Sequence, residues 1–436
     1  MLALALPAVA QSLLQTLVFL VDRLMLARHS AEALASMQVA GPLVWSLHSV
    51  FAAFSAGTVA VVGRCVGAGD REGATSALRG SLLVATVLGC VVGLASRLGV
   101  DAILHALSGA LDPGVYRAAR GYLSVLLPAM PMLFVGIVTT TALQAAGDTR
   151  TPFVIALLTN AVNVVGNGLL IFGALGLPRL GATGAAISNA AALSFEALLG
   201  LWALSRAGSP VRLRASGGAS AREGARRVLR VSVGSFGEKV IYHTGYLAFV
   251  RMINGLGPAS MAAHQALLSM ESVSFLSADG FAVASGARVA QSLGAGDPVA
   301  ARRAAQAAAA MCAAALAVFA VVLLLGGATL IGCFRDDPAI IAAGRSTLRA
   351  AAVAQVPMGI AIVLAQSLRG AGATREALAI AMAGALAVRI GATWLFTAGL
   401  GLGLAGVWMG SCADWVVRMT LAAWRWRRGA WARARV

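Results

Sequence analysis

The chain has 436 residues, 59% of them hydrophobic with a further 50 glycines, and only 12% charged, against roughly 25% in an average soluble domain. So few charges cannot cover a soluble protein of this length, and lipid must be the solvent for most of it. A net charge of +17 would suggest a nucleic-acid partner in a soluble chain, but here the arginines gather in short connections between apolar runs, the pattern of membrane-helix ends, which excludes that class.

Twelve apolar spans are predicted, in chain order at residues 3–26, 37–62, 78–100, 119–143, 152–174, 182–205, 230–253, 263–288, 304–334, 348–369, 377–398 and 404–424. They read as helices because they are long, rich in Ala and Leu, and lack the ten-residue alternation of a membrane barrel. The first lacks a basic leader and runs into Asp22 instead of a small-residue cleavage site, so it reads as a membrane helix, not a removable signal. After the sixth span, Arg206 to Leu229 is rich in Gly, Ser and Arg. It is expected to be a cytoplasmic linker joining an N-terminal lobe, 1–205, to a C-terminal lobe, 230–436. With the N-terminus inside the cell, 21 arginines fall on the cytoplasmic side against ten opposite, which puts both termini in the cytoplasm of a multi-pass protein of the cell inner membrane. Cys65, Cys90, Cys312, Cys333 and Cys412 have no ligand spacing and read as small core residues.

The halves repeat. Gln38 to Asp70 and Gln265 to Asp297 each end in Gly-Ala-Gly-Asp at an offset of 227 residues. Pro131-Met132 answers Pro357-Met358 at 226, Gly147 to Arg150 answers Gly372 to Arg375 at 225, and Leu180 to Gly184 answers Leu402 to Gly406 at 222. A duplicated six-helix unit crosses the membrane in the same sense twice, so the expected fold is an all-α membrane protein of two six-helix bundles related by a pseudo-two-fold along the membrane normal. Such repeats belong to transporters with a cavity between rocking halves.

Asp70 and Asp297 are placed to cap the helix after each Gly-Ala-Gly-Asp turn. The GxGxxG match at Gly401, Gly403 and Gly406 lies between two membrane spans with no preceding strand, so a dinucleotide site fails on context. No GxxxxGK[ST] motif occurs, so export would draw on an ion gradient, not on a nucleotide site of this polypeptide.

Ionisable side chains inside spans are costly and are functional candidates by default. Asp22 lies in the first span, Asn163 and Asn167 lie one turn apart on a face of the fifth, and Asn189 lies near the start of the sixth. A carboxylate with amide oxygens suits a hard cation such as sodium, and the same carboxylate can carry a proton. The repeat offsets carry this quartet to Phe249, Val388, Ala392 and Ser411, so the second half has no copy of it. That half has its own acids, Glu238, Glu271 and Asp279, candidates to line a cavity for cationic substrates. Their alternative is pairing, Glu238 with Lys239 or an edge arginine and Asp279 with His243 or Lys239. Arg389, Asp414 and Arg418 are expected to form an ion-pair cluster.

The chain resembles the multidrug and toxic compound extrusion (MATE) family over nearly its whole length. The resemblance is carried by Leu20-Val-Asp22 with Ala33-Leu-Ala35, Gly63 to Asp70, Gln144 to Pro152, Asn163-Val-Val-Gly-Asn167, Gly181 to Asn189, and Gln291 to Asp297. It implies an antiporter, not an enzyme, that exports organic, cationic amphipathic compounds in exchange for Na+ or H+ by alternating access, and it matches Asp22, Asn163, Asn167 and Asn189 to the family's N-lobe cation site. Asn167 stands where some members carry a second carboxylate. No cofactor beyond the coupling ion is expected; the partners are small organic substrates and membrane lipids, and the chain is expected to act as a monomer. The rival reading within the superfamily is a flippase for lipid-linked oligosaccharide, which would need a more cationic cavity.

Overall fold

The computed structural model describes residues 2–108, 112–213, 220–254, 256–334 and 337–434. All regular structure among them is helical, in twelve rods. In the first half these are α1 (Leu2–His29), α2 (Ala31–Gly67), α3 (Arg71–Ser108), α4 (Pro113–Ala145), α5 (Arg150–Phe172) and α6 (Gly181–Ser205). In the second they are α7 (Ala221–Asn254), α8 (Pro258–Gly294), α9 (Pro298–Phe334), α10 (Pro338–Gly370), α11 (Thr374–Gly399) and α12 (Gly403–Arg428). Each expected span lies within one of them except the fifth, expected to reach residue 174, which ends at Phe172, where Gly173 turns left-handed. Nine of the described helices are long and apolar enough to cross a membrane by composition alone. Of the other three, α1 contributes the shorter apolar stretch Leu2–Gln15, while α7 and α12 carry mid-helix charges that include Glu238 with Lys239 and Asp414 with Arg418.

Several rods outrun the bilayer. α3 has 38 residues and α8 has 37, whereas about 20 span the hydrocarbon. Breaks occur where the backbone demands them. α4 passes through a 3-10 turn at Leu127–Ala129 beside Pro128 and Pro131, where the missing amide hydrogens interrupt the helical ladder. α11 contains two π-helical stretches, Met382–Val388 and Leu395–Gly399.

The repeat is legible in the turns. After α2 and α8, Gly69 and Gly296 take left-handed backbone (φ 71° and 75°), and the next amide bonds back to Cys65 and Ser292 respectively. Asp70 and Asp297 then accept the Gly73 and Ala300 amides at 2.8 Å, capping α3 and α9 as expected. Gly147 and Gly372 close α4 and α10 in the same way, with Asp148 capping α5 through the Thr151 amide at 2.9 Å. In the second half Ala373 replaces that aspartate, and Thr374 instead donates to the Val231 carbonyl at 2.8 Å.

The chain divides into two compact units, one of Ala10–Leu229 and one of Met1–Val9 with Arg230–Val436. The start of α1, residues 2–9, thus groups with the C-terminal half. Ala5 and Val9 pack in the core cluster around Phe281, Leu316 and Met358, and Gly280 allows this because a Cβ there would lie 2.5 Å from the Val9 Cα.

The linker departs from expectation in its second half. Residues 221–229 are helical, the start of α7, and lie against α3. The contact is a glycine crossing: a Cβ on Gly80 would come within 2.8 Å of the Ala225 Cα, and one on Gly224 would reach the Ser76 carbonyl. Polar bonds fasten it, Thr75 Oγ1 to Arg212 O at 3.0 Å, Ser76 Oγ to Ser220 O at 2.7 Å and Arg79 Nε to Leu213 O at 2.8 Å. A Gly224→Val substitution is expected to detach this helix, since backbone atoms cannot give way. Protease cleavage between residues 206 and 229 in detergent should then rise over wild type, and unchanged protection would contradict the packing.

Candidate functional site: a carboxylate-amide ring in the N-terminal unit

The four polar residues expected to act together converge within the first unit. Asn163 and Asn167, four apart on α5, stack on one face, and both are almost fully buried. Asn167 Nδ2 donates to Asp22 Oδ1 at 2.5 Å and to Asn163 Oδ1 at 3.2 Å. Asn163 Nδ2 donates to Asn189 Oδ1 at 2.7 Å, and Asn189 Nδ2 closes the ring on Asp22 Oδ2 at 3.5 Å. α5 and α6 approach closely enough for this because Gly166 faces Ser188, whose hydroxyl donates to the Asn163 carbonyl at 2.8 Å.

A fifth member escaped the sequence reading. Tyr122 on α4 accepts from Asn189 Nδ2 at 3.4 Å and is buried. One tyrosine in an apolar span reads as packing, and only the converging amides reveal its hydroxyl as part of the site.

Among the described residues Asp22 makes no ion pair. Its charge is met by neutral amide hydrogens alone, and Asn167 Oδ1 is buried with no partner. Turning an amide about its last torsion exchanges a donor for an acceptor. The ring can therefore present the two carboxylate oxygens, up to three amide oxygens and the Tyr122 hydroxyl inward, a set suited to a monovalent hard cation. Protonation of Asp22 offers the other way to neutralise it.

A second acid of this unit was also missed. Glu196 lies two turns beyond Asn189 on α6, with its carboxyl against Gly136. Its position inside the sixth span was visible in the sequence, and the asparagine motif drew attention from it.

The second unit separates its three candidate acids. Glu238 is bound on both oxygens by Arg369, at 2.7 and 3.0 Å, and Gln366 also contacts that guanidinium. This realises the edge-arginine alternative and leaves Glu238 without a free oxygen for a cationic ligand. Asp279 is exposed in the middle of α8 and interacts electrostatically with Lys239 and Arg369; the side chain of His243 lies outside the described residues. Glu271 has a buried Oε1 with no partner and feels the charge of Arg389. The expected cluster is present: Asp414, fully buried, accepts from Arg389 Nε at 2.7 Å and from Arg418 at 2.5 and 2.9 Å.

The family profile described as MatE matches residues 7–169 and 235–395, one stretch in each half. The chain is 26% identical to the probable multidrug resistance protein NorM of Thermotoga maritima over 100% of this chain and 93% of that one. It is 30% identical to its namesake in Pseudomonas putida, covering 98% and 94% respectively. An outward-facing multidrug resistance MATE family transporter of the MOP superfamily shares the fold with a TM-score of 0.89 at 20% identity, covering 98% of this chain and 94% of that one. The repeat, the twelve helices and these matches agree: this chain is a multi-pass membrane protein of the MatE family of multidrug efflux transporters.

Proposed function

We propose that this chain is a secondary antiporter that exports organic cations in exchange for Na+ or H+ taken up at Asp22. The observation that carries this reading is the ring itself, a single carboxylate set among neutral amides with one buried amide oxygen unsatisfied. Ion binding there and substrate binding elsewhere would favour competing arrangements of the helices, which couples the two fluxes by differential affinity. The transporter would work as a monomer in the inner membrane, with both termini cytoplasmic and no resident cofactor.

Substrate chemistry is read from Asp279 and Glu271. A charged side chain exposed at mid-span is tolerated where it meets water or a ligand, not lipid tails, and Asp279 is such a group. Neutralising it (Asp279→Asn) is expected to reorder preference among organic cations of different size, and Glu271→Gln should do likewise. Asp22→Asn should instead depress every substrate alike, since each cycle needs the ion. A competition series in proteoliposomes at fixed pH and sodium tests this, and uniform loss in all three variants would remove the division of labour. Orientation is tested separately: a cysteine introduced at Ser209 should resist an impermeant maleimide added to intact cells, and ready labelling would reverse the topology.

A further inference from the structure

The repeat offsets carry the ring of the first half to Phe249, Val388, Ala392 and Ser411, positions with no carboxylate or amide. The folded second unit nevertheless builds a charged cluster there. α11 runs as a π-helix over Met382–Val388 and returns to α-helix at Arg389. The wider turn advances the chain by about one residue, so Arg389, not Val388, reaches α12. Its Nη2 donates to Ser411 Oγ at 3.1 Å, the counterpart of the Asn163-to-Asn189 bond in the first unit. Its guanidinium carbon lies 5.3 Å from the centre of the Phe249 ring, where the first half has Asp22.

We propose that Arg389 is a resident cation, held in the C-terminal unit at the place where the N-terminal unit binds its exchangeable ion. The chain then takes up its coupling ion at one site instead of two. Once vacated, the second site accepts a small monovalent cation of the guanidinium class.

The charges support this. Asp414 holds Arg389 on one oxygen and Arg418 on both, and is the ion-pair partner of each among the described residues. One buried carboxylate already serves two guanidiniums, so a further soluble cation would bury positive charge with no ion-pair partner. The aromatic faces of Phe249 and Trp415, the latter 5.6 Å from the Arg389 guanidinium carbon, add the surroundings that favour a flat cation. Taking the guanidinium away leaves a space shaped for it, walled by an Asp414 oxygen, the Ser411 hydroxyl and two aromatic faces.

The functional meaning rests on the Asp22 reading, whereas the geometry of the second site does not, and the test keeps the two apart. Full-length protein in detergent is heated in choline chloride at constant ionic strength, with and without millimolar methylguanidinium or sodium. Arg389→Ala is expected to lower the unfolding midpoint by several degrees on both the wild-type and the Asp22→Asn background. Methylguanidinium should recover most of that loss, while Asp22→Asn alone should not respond to it. Arg389→Lys keeps a tethered cation and should be stable and indifferent to added cations, so it decides the matter if Arg389→Ala does not accumulate. A midpoint unchanged by Arg389→Ala, a loss indifferent to both cations, or an equal cation response in Arg389→Lys would overturn the proposal. Failure of the Asp22 reading would appear elsewhere, as unchanged coupled export by Asp22→Asn.

Discussion

Asp22→Asn is expected to reduce coupled export of organic cations to the background of empty liposomes while the protein still inserts and folds. The substitution preserves shape and leaves an amide among the amides of Asn163, Asn167 and Asn189, but removes the only charge in the ring. With no carboxylate, neither a sodium ion nor a proton has a binding energy that differs between arrangements of the helices, and a ligand without differential affinity shifts nothing. Asn167→Asp should act in the opposite sense. It puts a second carboxylate at 2.5 Å from the first, so like charges repel until a cation or proton enters between them. Tighter ion binding and slower turnover follow, read as a lower half-saturating ion concentration together with a lower maximal rate. Wild-type export by Asp22→Asn would end the assignment.

Asp414→Asn is expected to be the most damaging single change to stability in the second unit. Asp414 is fully buried and, among the described residues, is the ion-pair partner of both Arg389 and Arg418, whose side chains are each only 11% exposed. Removing one partner of a buried ion pair costs roughly 3–5 kcal/mol, and here two guanidiniums lose their counter-ion at once. Little full-length protein should accumulate in the membrane, and what does should unfold well below the wild type. Removing one of the two stranded guanidiniums in Asp414→Asn/Arg418→Met should recover part of the loss, because only Arg389 then lacks its counter-ion. A near-wild-type midpoint for Asp414→Asn alone would mean that water reaches this cluster.

Much of this was legible in the residues because a membrane span makes polar side chains conspicuous. Asp22, Asn163, Asn167 and Asn189 stand out against Leu, Val and Ala, and their convergence required only that helices 1, 5 and 6 share a bundle. Asp70 and Asp297 were equally readable, since a glycine at positive φ followed by an aspartate is a local signal. Tertiary contact decided the remainder. Residues 221–229 look like linker by composition and become helix because Gly80 lets that segment pack against α3. Which arginine would hold Glu238 was not readable, and packing selects Arg369, which binds both of its oxygens. Arg389 was expected in an ion-pair cluster, but its place beside Ser411 was hidden. A gap-free offset assumes one helical pitch, and the π-helical stretch Met382–Val388 breaks that assumption by one residue.

The most direct test of the Asp22 site as the coupling site is flux in proteoliposomes with the sodium gradient and the pH gradient imposed one at a time. For the wild-type chain, efflux of a fluorescent organic cation against its own gradient should follow an inward gradient of the coupling ion and stop when that gradient is collapsed. Asp22→Asn, reconstituted at equal density, should respond to neither. Uphill efflux that persists with both gradients collapsed, or that is the same in wild type and Asp22→Asn, would contradict the ring around Asp22 as the place where the driving ion is bound.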